Sequence, residues 1–96
     1  MPAVTRKGDA DIPHCSAPFR KDHSPTVYAN GIAVSRQTDH NTVHVLPGSP
    51  CPPHTAPITA GSSTVKVNNL GCGRVGDGIT ACTAVKAGSK NVFAGG

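Results

Sequence analysis

The chain has no tryptophan, one tyrosine and two phenylalanines in 96 residues. The large side chains that ordinarily fill a small core are missing, so its interior has to be built from valine and alanine. Leu, Ile, Val and Phe together number 18, just under the roughly one-fifth of residues below which a disordered chain becomes plausible. Hydrophobic burial alone is insufficient, and a domain this small needs a staple: a metal, disulfides or a partner surface. Long apolar runs are also missing. No stretch of about 18 apolar residues is available to span a bilayer. The N-terminus carries Asp9 and Asp11 but no apolar segment of a secretory signal. The expectation is a single domain, residues 1–96, made in the cytoplasm without a signal peptide. There, four cysteines read as thiols or thiolate ligands rather than as two disulfides. Unbroken stretches are lacking as well: eleven Gly and nine Pro leave no room for a long helix and point to an all-β chain of strands and turns.

What is there is a pattern stated three times. Arg6-x-x-Asp9-x-x-x-x-His14, Arg36-x-x-Asp39-x-x-x-x-His44 and Arg74-x-x-Asp77-x-x-x-x-Cys82 share their internal spacing, and each ends in a side chain able to bind a borderline metal. A second element keeps the same order: His23-Ser-Pro-Thr-Val27, Gly61-Ser-Ser-Thr-Val65 and Gly88-Ser-Lys-Asn-Val92. The offset between the second and third copies is the same in both elements. Each Arg with an Asp three residues on predicts a local ion pair or turn. The alternation Thr26–Ala29 followed by Asn30-Gly31 and Ile32–Ser35 predicts a hairpin. Thr64–Val67, Asn68-Asn69 and Leu70–Gly73 predict a second one, weaker for its glycines.

Three equivalent repeat ends can converge on one ion. A closed tetrahedral zinc site needs four ligands, of which His14, His44 and Cys82 supply three. The fourth is His54, in the proline-stiffened Cys51-Pro-Pro-His54 insertion. Cys51 competes with His54, and Cys15 with His14. Cys72 occupies the repeat position of Val34, which marks it as a packing thiol. His23 and His40 match glycines in other copies and are expected to be exposed.

The net charge of +4 does not make a nucleic-acid site, because the basic residues are scattered and almost no aromatics accompany them. No glycine-rich loop with a following Lys-Ser or Lys-Thr opens a helix, so a nucleotide cradle is not expected. No Ser-His-Asp spacing or carboxylate pair is legible, and a fully ligated zinc is structural, so the chain is not expected to be an enzyme.

The thrice-used Gly-Asp or Thr-Asp turn before a ligand, the Gly-Ser-x-x-Val-x-x-x-Gly hairpin and the closing Gly88-Ser-Lys-Asn-Val-Phe-Ala-Gly-Gly96 resemble the PAAR-repeat family, over essentially the whole chain. The namesake Pro-Ala-Ala-Arg stretch is only partly kept, as Ile32-Ala-Val-Ser-Arg36 and Leu70-Gly-Cys-Gly-Arg74. The resemblance implies a compact cone of short β-hairpins with pseudo-threefold symmetry. It would cap a trimeric β-helical spike in contractile phage tails or type VI secretion systems, one copy per trimer. It further implies one structural zinc near the apex, held by three His and one Cys, which matches His14, His44, His54 and Cys82; iron is the alternative metal. The strands expected nearest the broad base are Thr26 to Ala29, Thr64 to Val67 and Asn91 to Gly95. A stand-alone tip of this kind would contact a target membrane transiently and would reside on the phage baseplate or be secreted through the type VI route. The competing reading is a zinc-stapled adaptor that binds an acidic partner without piercing anything.

Overall fold

A computed structural model describes residues 1–13, 16–44, 53–80 and 82–95. Among these residues there is no helix, and the named strands form two antiparallel hairpins: β1 (Tyr28–Ala29) with β2 (Ile32–Ala33), and β3 (Lys66–Val67) with β4 (Leu70–Gly71). Asn30 and Gly31 have φ of 57° and 74°, and Asn68 and Asn69 of 52° and 67°. Two consecutive left-handed residues make the tight turn whose twist matches that of the strands.

The strands are shorter than the alternation predicts because a serine interrupts each one. Ser24 Oγ accepts hydrogen bonds from the backbone N–H groups of Thr26 and Val27, at 3.1 and 2.9 Å, which bends the chain before β1. Pairing resumes beyond the bend, with Val34 N donating to Val27 O at 3.0 Å and Ser24 N to Val34 O at 2.7 Å. The second hairpin repeats this through Cys72 N to Val65 O (3.0 Å) and Ser62 N to Cys72 O (2.8 Å).

A third pairing of the same kind joins the two ends of the chain. Val4 N donates to Val92 O at 2.9 Å, Ser89 N to Val4 O at 2.8 Å and Ala94 N to Pro2 O at 3.0 Å, with Ala3 opposite Phe93. The segment Asn91 to Gly95 therefore pairs with Pro2–Val4, and no continuous hairpin contains both. The tips of the three units are locked to one another. Arg6 and Ser89 both donate to Asn30 Oδ1, Arg36 and Ser24 both to Asn68 Oδ1, and Arg74 and Ser62 both to Gly95 O.

Behind the hairpins the backbone closes a ring of three hydrogen bonds. Thr5 N donates to Gly73 O (3.0 Å), Gly73 N to Ser35 O (3.0 Å) and Ser35 N to Thr5 O (3.1 Å). Thr5 and Ser35 are fully buried. Gly73 has no room for a side chain, since an added Cβ would lie 2.5 Å from Ser35 O and 2.9 Å from Ile58 Cδ1. Next along each copy comes the Arg-x-x-Asp turn, formed as the spacing predicts. The Asp9, Asp39 and Asp77 carboxylates accept both the backbone N–H and the guanidinium of Arg6, Arg36 and Arg74.

Two apolar clusters fill the interior. One joins the hairpins through Val4, Ala29, Val34, Val67, Cys72 and Ala94; the other contains Ala56, Ile58, Ile79 and Val85, with Cys82 packed against it. Both are made almost entirely of the small aliphatic residues that the composition allows. The body measures 40 × 23 × 23 Å, with a radius of gyration of 12.6 Å.

Candidate metal centre

His44 and His54 face each other across an antiparallel bridge, each backbone N–H donating to the other's carbonyl at 3.1 and 3.3 Å. This pairing brings the two imidazoles to a centroid separation of 4.1 Å at a tilt of 60°. Cys82 arrives from the third repeat, where a turn closed by Cys82 N and Ile79 O at 3.0 Å holds it beside the second apolar cluster.

The three side chains converge. Cys82 Sγ lies 3.2 Å from His44 Nε2 and 3.7 Å from His54 Nε2, and the ligand atoms of all three residues lie within 4.8 Å of one another. They form a group that can hold a metal ion. Zinc bonds of about 2.0–2.1 Å to nitrogen and 2.3 Å to sulfur put neighbouring ligand atoms of a tetrahedron roughly 3.3 to 3.8 Å apart. The His54 separation of 3.7 Å falls in that range and the His44 separation of 3.2 Å just below it.

The tautomer of His44 follows from its surroundings. Its Nδ1 sits 2.9 Å from Thr42 O, and a carbonyl can only accept, so Nδ1 carries the hydrogen and the Nε2 lone pair points toward Cys82. That is the usual arrangement for a ligating imidazole, with its other nitrogen fixed by a backbone oxygen. Burial pushes the Cys82 thiol above its ordinary value, while Asn41 and Arg20 pull it back and Asp11 adds to the rise.

Two repeat ends, His44 and Cys82, are thus brought together with His54 of the insertion. His14, with its competitor Cys15, and Cys51, the competitor of His54, lie outside the described residues. Cys72 stands apart from the group, 2 % exposed within the hairpin cluster, where burial raises its thiol. It is a packing thiol, as its repeat position indicates.

Two histidines depart from expectation. His23 and His40 are half-buried rather than exposed. His23 Nδ1 donates to Ser24 O at 2.8 Å, and His40 Nδ1 lies 3.0 Å from Thr55 Oγ1.

The sequence gives no warning of a buried polar group beside the centre. Asp11 and Arg20 form an ion pair at 3.0 Å with both side chains fully buried, and Asn41 is fully buried next to them. Burial pushes the Asp11 carboxyl upward against the pull of Arg20. Asp11 and Asn41 share a variable position of the repeat, filled by Ile79 in the third copy, and Arg20 lies outside the motif; Asp, Arg and Asn in a loop-rich chain ordinarily read as surface.

No protein-family model matches the chain, and no curated protein matches it either.

Proposed function

We propose that the chain is a metal-stapled tip that caps a trimeric β-helical spike in a contractile injection machine, the role implied by its resemblance to the PAAR-repeat family. The observation that carries the reading is the closed ring Thr5–Gly73–Ser35, with three equivalent pairings on one side of it and three equivalent Arg–Asp turns following it in sequence. One chain with such an axis presents a threefold-like face, and a homotrimer offers a true one to match. The two equal short dimensions beside a 40 Å long one suit a rotor-like body of this kind.

The hairpin end is the face for docking. It exposes Tyr28 (58 %), Phe93 (50 %), Ile32 and Val65 beside short strand edges that can pair with another β-structure. Tyr28, Lys66 and Phe93 take corresponding places in the three pairings. The other end is suited to entering a bilayer. No Asp, Glu, Lys or Arg occurs between Asn41 and Ile58, and Ile12, Phe19 and Val43 are exposed without being charged. Charged groups are the costly ones to carry into hydrocarbon.

Zinc is the metal proposed, with His14 joining His44, His54 and Cys82 as the fourth ligand. The ion would supply a closed, structural centre with no open position for substrate, so no catalysis is assigned. A narrow point has little interior to bury, and structural zinc contributes about 10 kcal/mol or more of apparent binding free energy, comparable to the whole stability of a small fold.

Native mass spectrometry of the purified chain mixed with its cognate trimeric β-helical spike tests the proposal. The expected complex holds three spike chains, one copy of this chain and one zinc. A 1:1 complex with a monomeric acidic protein, together with indifference to the spike, favours the adaptor reading instead.

A further inference from the structure

Three grooves run between neighbouring copies of the repeat, and one of them differs from the other two. Their frames are equivalent: Gly8 N donates to Arg20 O (2.8 Å), Thr38 N to Ile58 O (3.0 Å) and Gly76 N to Val85 O (2.9 Å). The residue after each repeat arginine is Lys7, Gln37 or Val75, and the segment across its groove is Lys21–His23, Thr59–Gly61 or Lys86–Gly88. Side chains close two of the grooves. Gln37 crosses the second, its Nε2 donating to Thr59 O and its Oε1 accepting Gly71 N–H, both at 3.3 Å. Val75 fills the third, with Cγ2 3.1 Å from the point where a Cβ on Gly88 would lie.

The first groove stays open as a cleft of about 510 Å³, lined by Lys7, Lys21, Asp22, His23, Arg36 and Asp39. Arg36 and Asp39 are spent on each other at 2.9 Å. Lys7 and Lys21 are exposed, and neither ammonium has an ion-pair partner among the described residues. Two like charges thus line one opening where the second copy makes an amide–carbonyl bond, an arrangement that an anion between them relieves. The cleft also holds acceptors. His23 Nδ1 donates to Ser24 O at 2.8 Å, which leaves Nε2 of the neutral ring with a lone pair to offer. Asp22 uses Oδ2 for His40 N–H at 3.2 Å and keeps acceptor capacity on its carboxylate.

Cations and acceptors in one cleft suit an oxyanion that carries hydrogen. Phosphate is such an anion, whereas sulfate near neutral pH and a phosphodiester have no hydrogen to give. We infer that the cleft binds a protonated phosphate group, as the free ion or a monoester. Lys7 and Lys21 hold its charged oxygens, and its P–OH hydrogens donate to His23 Nε2 and Asp22. The bound group ties the first copy to the second as Gln37 ties the second to the third, independently of the metal and of the spike.

Isothermal titration calorimetry on the full chain as purified, near neutral pH and at fixed ionic strength, compares inorganic phosphate, glycerol phosphate, sulfate and dimethyl phosphate. Inorganic phosphate or glycerol phosphate should bind at one site at least about tenfold more tightly than the other two anions, the value of one charge-assisted hydrogen bond. The tighter of the two identifies the free ion or the ester as the ligand. Lys7→Gln carries the second copy's residue and should weaken phosphate binding by about tenfold or more. His23→Gly carries the residue of the other two copies and should bring phosphate down to the level of sulfate. Melting curves confirm that both variants fold, and the wild-type comparison stands whatever they do. No binding of either phosphate, binding no tighter than that of sulfate, or wild-type affinity and selectivity in the two folded variants overturns the site.

Discussion

Thr38 sits at φ 73°, where the equivalent positions of the other two Arg-x-x-Asp turns hold Gly8 at 86° and Gly76 at 91°. A β-branched residue is strained in this region and glycine is not. Thr38→Gly should relieve about 1–2 kcal/mol of strain and give back up to about 1 kcal/mol in unfolded-chain entropy. The expected net is a stabilisation of about 1 kcal/mol, read as a melting temperature about 4–8 °C higher. Histidines give a sharper residue-scale contrast. His44→Ala removes a ring held by Thr42 O and facing Cys82, so it should abolish stoichiometric metal and lower stability by several kcal/mol in the loaded protein. His40→Ala loses one contact with Thr55 and should cost about 1 kcal/mol while metal content stays at wild-type level. Elemental analysis and thermal melting on the two variants check both, and equal metal loss in the two would remove His44 from the ligand set.

At the scale of elements, the repeated unit is a serine-capped pairing rather than a plain hairpin. Ser24, Ser62 and Ser89 are each nearly or fully buried, and each Oγ accepts two successive backbone N–H groups while donating to the tip of another unit. Ser62→Ala orphans Thr64 N and Val65 N and leaves Gly95 O to Arg74, so a loss of about 1–2 kcal/mol is expected in chemical denaturation. The pairing of chain ends is the other element-scale feature. Val4 is 4 % exposed and Ala94 1 %, so deleting residues 1–4 uncovers the hairpin cluster and should abolish cooperative unfolding, seen as a broad, shallow circular-dichroism melt. These elements were unequally legible in the sequence. The Asn-Gly and Asn-Asn turns were readable because two left-handed residues in a row demand those side chains, and the Arg–Asp turns because their partners are three residues apart. Strand length was overestimated because alternation of Thr and Val does not reveal that the preceding serine captures the backbone. The pairing of Pro2–Val4 with Val92–Ala94 was invisible because no local signal marks contacts between opposite ends of a chain. His44 and Cys82 were legible through the shared register and His54 only as a ligand in the proline-stiffened insertion outside it, while Asp11 and Asn41, at a repeat position that Ile79 fills in the third copy, and Arg20, outside the motif, left no trace.

For the whole molecule, the sparse core makes stability and metal occupancy one question, and pH separates their parts. Burial raises the Cys82 thiol above its ordinary value of 9.0, so near neutral pH the thiol keeps its proton and a metal has to displace it. Without metal, a thiol pKa raised by folding contributes stability that is present below 9.0 and lost as pH climbs through the raised value. With metal the sign is opposite: affinity should increase by about tenfold for each pH unit below the thiol pKa, because one proton leaves Cys82 for each ion bound. Any imidazole still protonated adds to that slope in its own titration range. Competition titrations at a series of pH values from mildly acidic to mildly alkaline, paired with melts of chelated and loaded protein, check both signs. The gap between the two melting temperatures should widen steadily with pH, since ligand binding to the folded state adds RT ln(1 + [L]/Kd) to its stability. A constant gap would mean that no proton is displaced, and Cys82 could then not be a thiolate ligand.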